Sequence, residues 1–167
     1  MKALLIIPIV ALATYLLYVR IKYKMTASIS DTYKIIKGWE KPWFTITLWC
    51  VAVPIIIVGI ENIPENTPQI LFFIAGGLIV LVSSSPEFWS NKRELTAHRI
   101  GSYGGISFGI VACLVHYYSL VTLILVTIFV VFAILQLLNI KQLKIPNHIY
   151  WIEIAAIVMV SLVLVLN

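Results

Sequence analysis

The side chains in this sequence that could do chemistry are a few histidines and carboxylates set beside long apolar stretches. Glu153 is the clearest of them, because it follows His148 by five residues inside an apolar run. An acidic side chain costs about 2.5 kcal/mol or more at the centre of a bilayer, so it faces a bundle interior and usually serves a function. The structural alternative is a glutamate near the interface that snorkels to the surface or pairs with Arg99. Glu94 and His98 are four residues apart and therefore share one face of a helix.

A second polar group, residues 28–32, follows the first apolar stretch with the sequence Ser-Ile-Ser-Asp-Thr. Ser30 beside Asp31 places a hydroxyl next to a carboxylate, which could form a nucleophilic site with His98 as the base. The same pattern is also typical of a turn, or of the cap of a helix through Thr32–Gly38. The candidate catalytic residues are therefore His98, Glu153, Asp31 and Ser30.

Histidines and carboxylates that meet at a membrane edge could instead bind a divalent metal. The sequence contains neither an HExxH nor an HxxxH spacing, so we predict no metal site. They could equally form a hydrogen-bonded cluster that fixes the loops. The sequence names no cofactor.

Composition decides the class of protein that must position these residues. Of the 167 residues, 61% are hydrophobic and only 11% are charged, whereas a soluble domain has about 25% charged residues. A soluble globule of this size could not hide so much apolar surface. This excludes a soluble enzyme, a nucleic-acid-binding module (despite the net charge of +5), a disulfide scaffold and a disordered chain.

Six apolar stretches approach the length of about 20 residues that a membrane-spanning helix needs. They cover residues 3–18, 43–60, 69–84, 100–117, 120–139 and 148–166. We therefore predict an all-α fold: one domain, residues 1–167, that is a bundle of six transmembrane helices. Residues 31–39 combine aromatic and aliphatic side chains with lysines and predict an amphipathic interfacial helix.

Lysine and arginine are concentrated in alternate connections, with six after the first span, three after the third and two after the fifth. The positive-inside rule then places the basic loops in the cytoplasm and both termini outside. Lys34, Lys37 and Arg99 in these loops are the candidate contacts for anionic lipid, at roughly 1 kcal/mol per charge. The short loops favour a multi-pass protein of a bacterial inner membrane.

Three glycines of the fourth span, Gly101, Gly105 and Gly109, recur every four residues. Such a ridge of small residues lets another helix approach closely. The favoured interpretation is packing within the chain. The ridge could also serve a homo-oligomer or a partner membrane protein.

The order of these motifs resembles the Frag/DRAM superfamily of six-span membrane proteins. That group contains the damage-regulated autophagy modulators, lipid-remodelling factors of GPI anchors and bacterial proteins of unknown function. The matching positions are Ser30, Asp31, Thr32, Phe44, Gly76, Gly77, His98, Gly101, His148 and Glu153. The resemblance extends from the connection after the first span to the sixth span, and it implies six helices and a polar cluster of Asp31, His98 and Glu153 that acts on lipid.

Three functions remain open from the sequence. The first is a lipid-modifying enzyme or lipid-binding protein, in which His98 is a base oriented by Asp31 or Glu153 and Ser30 is the nucleophile. The second is a small transporter or channel with Glu153 as an ion or proton site. The third is a non-catalytic membrane subunit or regulator. Membrane lipid is the expected partner in the first case, and nucleic acid is expected in none.

Overall fold

The computed structural model describes residues 2–61, 66–85, 87–90, 92–116, 119–138 and 145–166, and these residues contain helices and no strands. A 3₁₀ turn, Lys2–Leu5, leads into the first helix, and a second 3₁₀ turn, Gly38–Glu40, precedes the third. The helices are α1 (Ile6–Lys22), α2 (Thr32–Ile35), α3 (Lys41–Glu61), α4 (Asn66–Ser84), α5 (Lys92–His116), α6 (Leu120–Leu137) and α7 (His148–Leu166).

Five segments are long and apolar enough to cross a membrane, namely Ala3–Lys22, Gly38–Glu61, Thr67–Ser84, Leu120–Leu137 and His148–Leu166. Large apolar side chains are exposed on every long helix, as expected for surfaces that face lipid. The chain is thus a multi-pass membrane protein with an all-α fold. The structure supports five candidate spans where the sequence predicts six, and the sides on which the termini lie stay predictions.

The remaining long helix, α5, coincides with the predicted span 100–117 but begins earlier, at Lys92. It is 25 residues long, and its first two turns carry most of its charge. The middle of α5 contains four glycines and two serines, which lower its mean hydropathy. Its composition therefore falls short of that of the other long helices, although its length would suffice.

Among the long helices, α4 packs against both α3 and α5, and α1 packs against α3. The central helix is α7, which contacts α1, α3, α5 and α6. Because a residue on α7 is within reach of most of the bundle, Glu153 occupies a position from which it can hold several elements together.

The glycine ridge of α5 packs inside the chain. A Cβ atom on Gly101 would lie 2.7 Å from the carbonyl oxygen of Leu78, and one on Gly105 would lie 3.4 Å from that of Ala75, both on α4. A Cβ atom on Gly109 would lie 3.4 Å from Val160 of α7. The ridge thus packs against the chain's own helices, and a homo-oligomer or a partner protein stays a prediction.

The predicted interfacial helix over residues 31–39 is shorter in the structure. Its helical part, α2, has only four residues, and it ends because Ile36 and Lys37 are extended. Gly38 then takes a left-handed conformation with φ of 53°, which glycine adopts without a steric penalty. The segment therefore turns twice instead of forming one amphipathic helix.

The predicted break between the fourth and fifth spans lies where expected. Helix α5 ends at His116, and Ser119 caps α6 by accepting a hydrogen bond from the Thr122 N–H at 3.2 Å. The predicted end of the fifth span at residue 139 lies outside the described residues, as do Lys141 and Lys144.

Candidate functional site

The connection between α1 and α3, residues 23–40, folds into the bundle, and we call it the inserted segment. Ile29, Thr32 and Ile36 are almost fully buried. The Tyr150 N–H at the start of α7 donates to the carbonyl oxygen of Ala27 at 3.0 Å. The inserted segment therefore meets the start of α7 at the end of the bundle where residues 84–85, 87–90 and 92–99 also lie, which we call the basic end.

Glu153 fastens the inserted segment to the central helix. Its Oε2 accepts a hydrogen bond from the Ile29 N–H at 2.6 Å, across 124 positions of the chain. A hydrogen bond to a carboxylate is stronger than one between neutral groups, so this contact fixes the turn firmly. The alternative that Glu153 pairs with Arg99 is wrong, since no ion pair joins these two described residues and Arg99 is exposed.

Asp31 lies in the turn before α2, but its side chain does not cap that helix. It pairs with Lys34 at 2.5 Å, while its N–H donates to the Ser28 Oγ at 3.1 Å. The Lys34 ammonium lies 5.2 Å from the ring centres of both Phe88 and Trp89, within cation–π range. Lys34, a predicted lipid contact, is thus already engaged within the protein.

His98 is the buried histidine of the basic end, with 6% of its surface exposed. Its ring stacks on Phe88 with centres 4.0 Å apart and planes inclined by 19°. The backbone of Ser85 hydrogen-bonds the imidazole, and Asp31 and Lys34 both act on it electrostatically. Among the described residues, its Nδ1 has no partner. Asp31 also acts electrostatically on Glu153, but no hydrogen bond or ion pair among the described residues joins Asp31, His98 and Glu153 to one another.

The fourth candidate, Ser30, is buried in the turn of the inserted segment. Its carbonyl oxygen accepts from the Tyr33 N–H at 3.2 Å. No hydrogen bond among the described residues joins Ser30, the predicted nucleophile, to His98, the predicted base. The catalytic roles of His98, Glu153, Asp31 and Ser30 stay predictions. Within the described ranges, no three metal-ligating side chains come together.

A hydrogen-bonded pair that sequence reasoning missed holds the inserted segment against α1. The hydroxyl groups of Tyr15 and Thr32 lie 2.6 Å apart, and the Thr32 hydroxyl donates to the Ile29 carbonyl oxygen at 2.5 Å. Both residues are buried. The sequence does not single out Tyr15, because tyrosine is common in apolar membrane-spanning stretches.

Glu40 is the second feature that the sequence did not reveal. Its carboxylate accepts from the Tyr18 hydroxyl at 2.6 Å and also from the Lys22 ammonium and the Tyr23 hydroxyl, and only 3% of its surface is exposed. The hydrogen bond to Glu40 raises the pKa of the Tyr23 hydroxyl. With three donors Glu40 is well satisfied, so it serves to join the end of α1 to the start of α3.

Two grooves flank α1 and open on the surface of the bundle. The α1–α7 groove has a volume of about 250 Å³, and the α1–α3 groove has a volume of about 390 Å³. The inserted segment contributes Met25 to the first and Trp39 to the second. The other two predicted lipid contacts, Lys37 and Arg99, are exposed and line neither groove.

Comparison with known proteins adds no assignment. No protein-family model, curated protein or solved structure matches this chain. The function therefore has to follow from the chemistry of the basic end and of the two grooves.

Proposed function

We propose that this chain is a six-span membrane protein that binds an anionic phospholipid in the α1–α7 groove. The observation that carries the proposal is the shape and polarity of that groove. Its walls are apolar side chains of α1 and α7, and a single cationic side chain, Arg20, lines it at the end of α1. A site with an apolar body and a cationic mouth complements a lipid with an acyl chain and an anionic headgroup.

The length of the groove fits one leaflet. Its lining on α1 runs from Ile9 to Arg20, and eleven residues of helix rise about 16 Å. The hydrocarbon core of a bilayer is about 30 Å thick, so each leaflet contributes about half of that. An acyl chain that enters at Arg20 would therefore reach the bilayer midplane near Ile9.

The mouth of the groove provides the contacts that a phospholipid headgroup uses. Arg20 is exposed, and a guanidinium group can bind phosphate through two parallel hydrogen bonds. Tyr150 and Trp151 line the same mouth, and such side chains favour the membrane interface. The anionic headgroup is thus assigned to Arg20 in preference to Lys34, which is paired with Asp31.

Glu153 follows Tyr150 of this mouth by three residues on α7, so the two share one face of that helix. The resemblance to the Frag/DRAM superfamily belongs to this proposal, because it too implies that Asp31, His98 and Glu153 work next to lipid. The close packing of α5 on α4 supports counting α5 as the sixth span. Six spans and the positive-inside rule would put the basic end in the cytoplasm, which suits the inner membrane of a bacterium.

Transport through the bundle is the less favoured function. Beyond Glu153, the buried residues of α7 include Ala156, Met159, Val160 and Val163. An ion or proton route needs polar side chains or water along the membrane, and this face offers Ser161 alone among the described buried residues of α7. Glu153 itself is engaged by the Ile29 N–H.

The proposal can be tested by measuring the lipid that the purified protein retains. The protein is reconstituted in nanodiscs that contain equal amounts of phosphatidylglycerol and phosphatidylcholine, released into mild detergent and analysed by native mass spectrometry. We expect wild type to retain phosphatidylglycerol. Arg20→Gln should lower that preference about fivefold, since one cationic side chain is worth roughly 1 kcal/mol towards anionic lipid.

Two matched pairs of variants control for general effects. Ala13→Phe fills the α1–α7 groove, whereas Val10→Phe adds the same ring at an exposed position that lines neither groove. Lys92→Gln removes an exposed charge that lines neither groove and matches Arg20→Gln. Equal phosphatidylglycerol retention by Ala13→Phe and Val10→Phe, or by Arg20→Gln and Lys92→Gln, would contradict the proposal.

A further inference from the structure

The α1–α3 groove differs from the α1–α7 groove in the character of its walls. Small side chains of α1 and α3 form part of it, namely Ala11, Thr14, Thr47 and Cys50. Four aromatic rings complete it, and these belong to Tyr15, Tyr18, Trp39 and Trp43. Its volume of about 390 Å³ lies within the range of about 300–1,000 Å³ that is usual for small-molecule sites.

No charged side chain lines this groove, in contrast to the groove that contains Arg20. At the end of α1, the charges of Lys22 and Glu40 offset each other, because the Lys22 ammonium is paired with the Glu40 carboxylate. The same carboxylate accepts from the Tyr18 hydroxyl at 2.6 Å, so that hydroxyl already has its acceptor. An occupant of this groove therefore gains nothing from a net charge and would lose solvation if it carried one.

The two indole rings of the groove are uncovered. Trp39 is 74% exposed and Trp43 is 51% exposed. Trp49, one and a half turns further along α3, donates its Nε1–H to the Ser83 Oγ at 2.9 Å. Within the described part of the chain, Trp39 and Trp43 make no such bond, so their rings and N–H groups remain for a ligand. Indole rings stack on flat rings, and a partly buried indole N–H seeks an acceptor.

We infer that the α1–α3 groove binds a neutral lipid of the quinone class, with its ring beside Trp39 and Trp43 and its tail along Ala11 and Cys50. A quinone ring is flat and uncharged, and its carbonyl oxygens accept hydrogen bonds from the indole N–H groups. The path from Tyr18 to Ala11 covers seven residues, about 10 Å of helix. This length holds a ring and the first part of an apolar tail, and the remainder of the tail lies among the membrane lipids.

The inference is tested with decylubiquinone, a short-tailed benzoquinone, added to the protein in phosphatidylcholine nanodiscs. Quinones quench tryptophan fluorescence on contact, so a bound ring should give a saturable component above the linear quenching caused by quinone dissolved in the bilayer. That component should disappear in the double variant Trp39→Phe, Trp43→Phe. The indole rings of Trp89 and Trp151, which line neither this groove nor its mouth, report the linear background.

Groove filling provides the matched comparison. Ala11→Phe places a ring inside the groove, and Val10→Phe places the same ring on the neighbouring exposed position. We expect Ala11→Phe to raise the quinone concentration for half-maximal quenching at least tenfold, and Val10→Phe to leave it unchanged. Arg20→Gln should leave it unchanged as well, which separates this inference from the proposed phospholipid site.

The groove can also be blocked by chemical modification of the protein after it has folded, which avoids any effect on folding. Cys50 lines the groove, whereas Cys113 is fully buried, so N-ethylmaleimide should modify Cys50 of the folded protein and fill the site. Alkylation should remove the saturable quenching, and a Cys50→Ala variant treated in the same way should keep it. The inference is overturned if alkylated protein still binds the quinone, if quenching never saturates, or if hexadecanol, which has a chain but no ring, displaces the quinone at equal concentration.

Discussion

Replacing Glu153 by leucine removes the acceptor that holds the backbone N–H of Ile29. This hydrogen bond is 2.6 Å long and joins the inserted segment to the central helix. Ile29 is 4% exposed, so its N–H has no ready access to water once the carboxylate is gone. Glu153→Gln keeps a carbonyl oxygen at the same place and is the conservative comparison.

The size of the effect follows from the two terms involved. An unpaired buried N–H group destabilises the folded state by about 1–3 kcal/mol. The removal of a carboxylate from an apolar region stabilises the folded state, and this offsets part of that loss. The global stability therefore changes little, whereas the turn at Ile29 loses most of its local support. A local loss of about 1–3 kcal/mol corresponds to roughly 5- to 150-fold faster opening, since a factor of ten equals about 1.4 kcal/mol.

Amide hydrogen exchange at Ile29, measured by mass spectrometry on the protein in nanodiscs, reports this local opening directly. We expect exchange to become roughly 5- to 150-fold faster in Glu153→Leu. In Glu153→Gln it should become at most about tenfold faster, because a bond to a neutral acceptor is weaker but still present. Glu61→Leu, at the far end of α3, removes an exposed carboxylate and should change nothing at Ile29.

One result would refute this account of Glu153. If exchange at Ile29 in Glu153→Leu stays within a factor of two of wild type while the protein remains folded, the carboxylate does not support the turn. Equal acceleration in Glu61→Leu would likewise show that the effect is general and does not come from the hydrogen bond.

Three further substitutions test the packing and the hydrogen bonds of the bundle by thermal unfolding in detergent. Gly101→Ala should destabilise the protein by about 1–3 kcal/mol, because its Cβ would lie 2.7 Å from a backbone oxygen, whereas Gly77→Ala, with nothing within 4 Å, should cost nothing. Glu40→Leu should lower Tm more than Glu87→Leu, since Glu40 binds three donors and Glu87 forms only an exposed contact of 3.5 Å with a lysine; equal losses would contradict this. Ser161→Ala should change stability by less than about 1 kcal/mol, because its buried hydroxyl has no partner among the described residues, and a larger loss would reveal one.

The sequence predicts the helices well because a membrane-spanning helix depends on length and apolarity, both of which can be counted. The stretch 148–166 coincides with α7, and 43–60 lies within α3. At α5 glycines replace apolar side chains, so this helix is not among the five candidate spans and the sixth predicted span stays a prediction. Helix α5 is held in the bundle by close contact with the backbone of α4, as at Gly101. The mean hydropathy of a stretch does not reflect such a contact.

The candidate site is only partly predictable for a related reason. The predicted topology places Asp31, His98 and Glu153 at one end of the bundle, and Asp31 acts electrostatically on both His98 and Glu153. The partner of Glu153 is a backbone N–H, which every residue except proline carries. No residue type could have identified Ile29, because the contact depends on how residues 23–40 turn into the bundle. Glu40 was missed for the same reason.

Two separate carboxylates fix the inserted segment, one at its middle and one at its end, and we expect this to separate the two grooves. Glu153 holds Ile29, four residues after Met25 of the α1–α7 groove, and Glu40 holds the turn that carries Trp39 into the α1–α3 groove. The loss of Glu153 should therefore weaken phosphatidylglycerol retention and leave quinone quenching intact, and the loss of Glu40 should do the reverse. If the loss of either carboxylate abolished both phosphatidylglycerol retention and quinone quenching, the inserted segment would move as one rigid piece. The two grooves would then form a single coupled site.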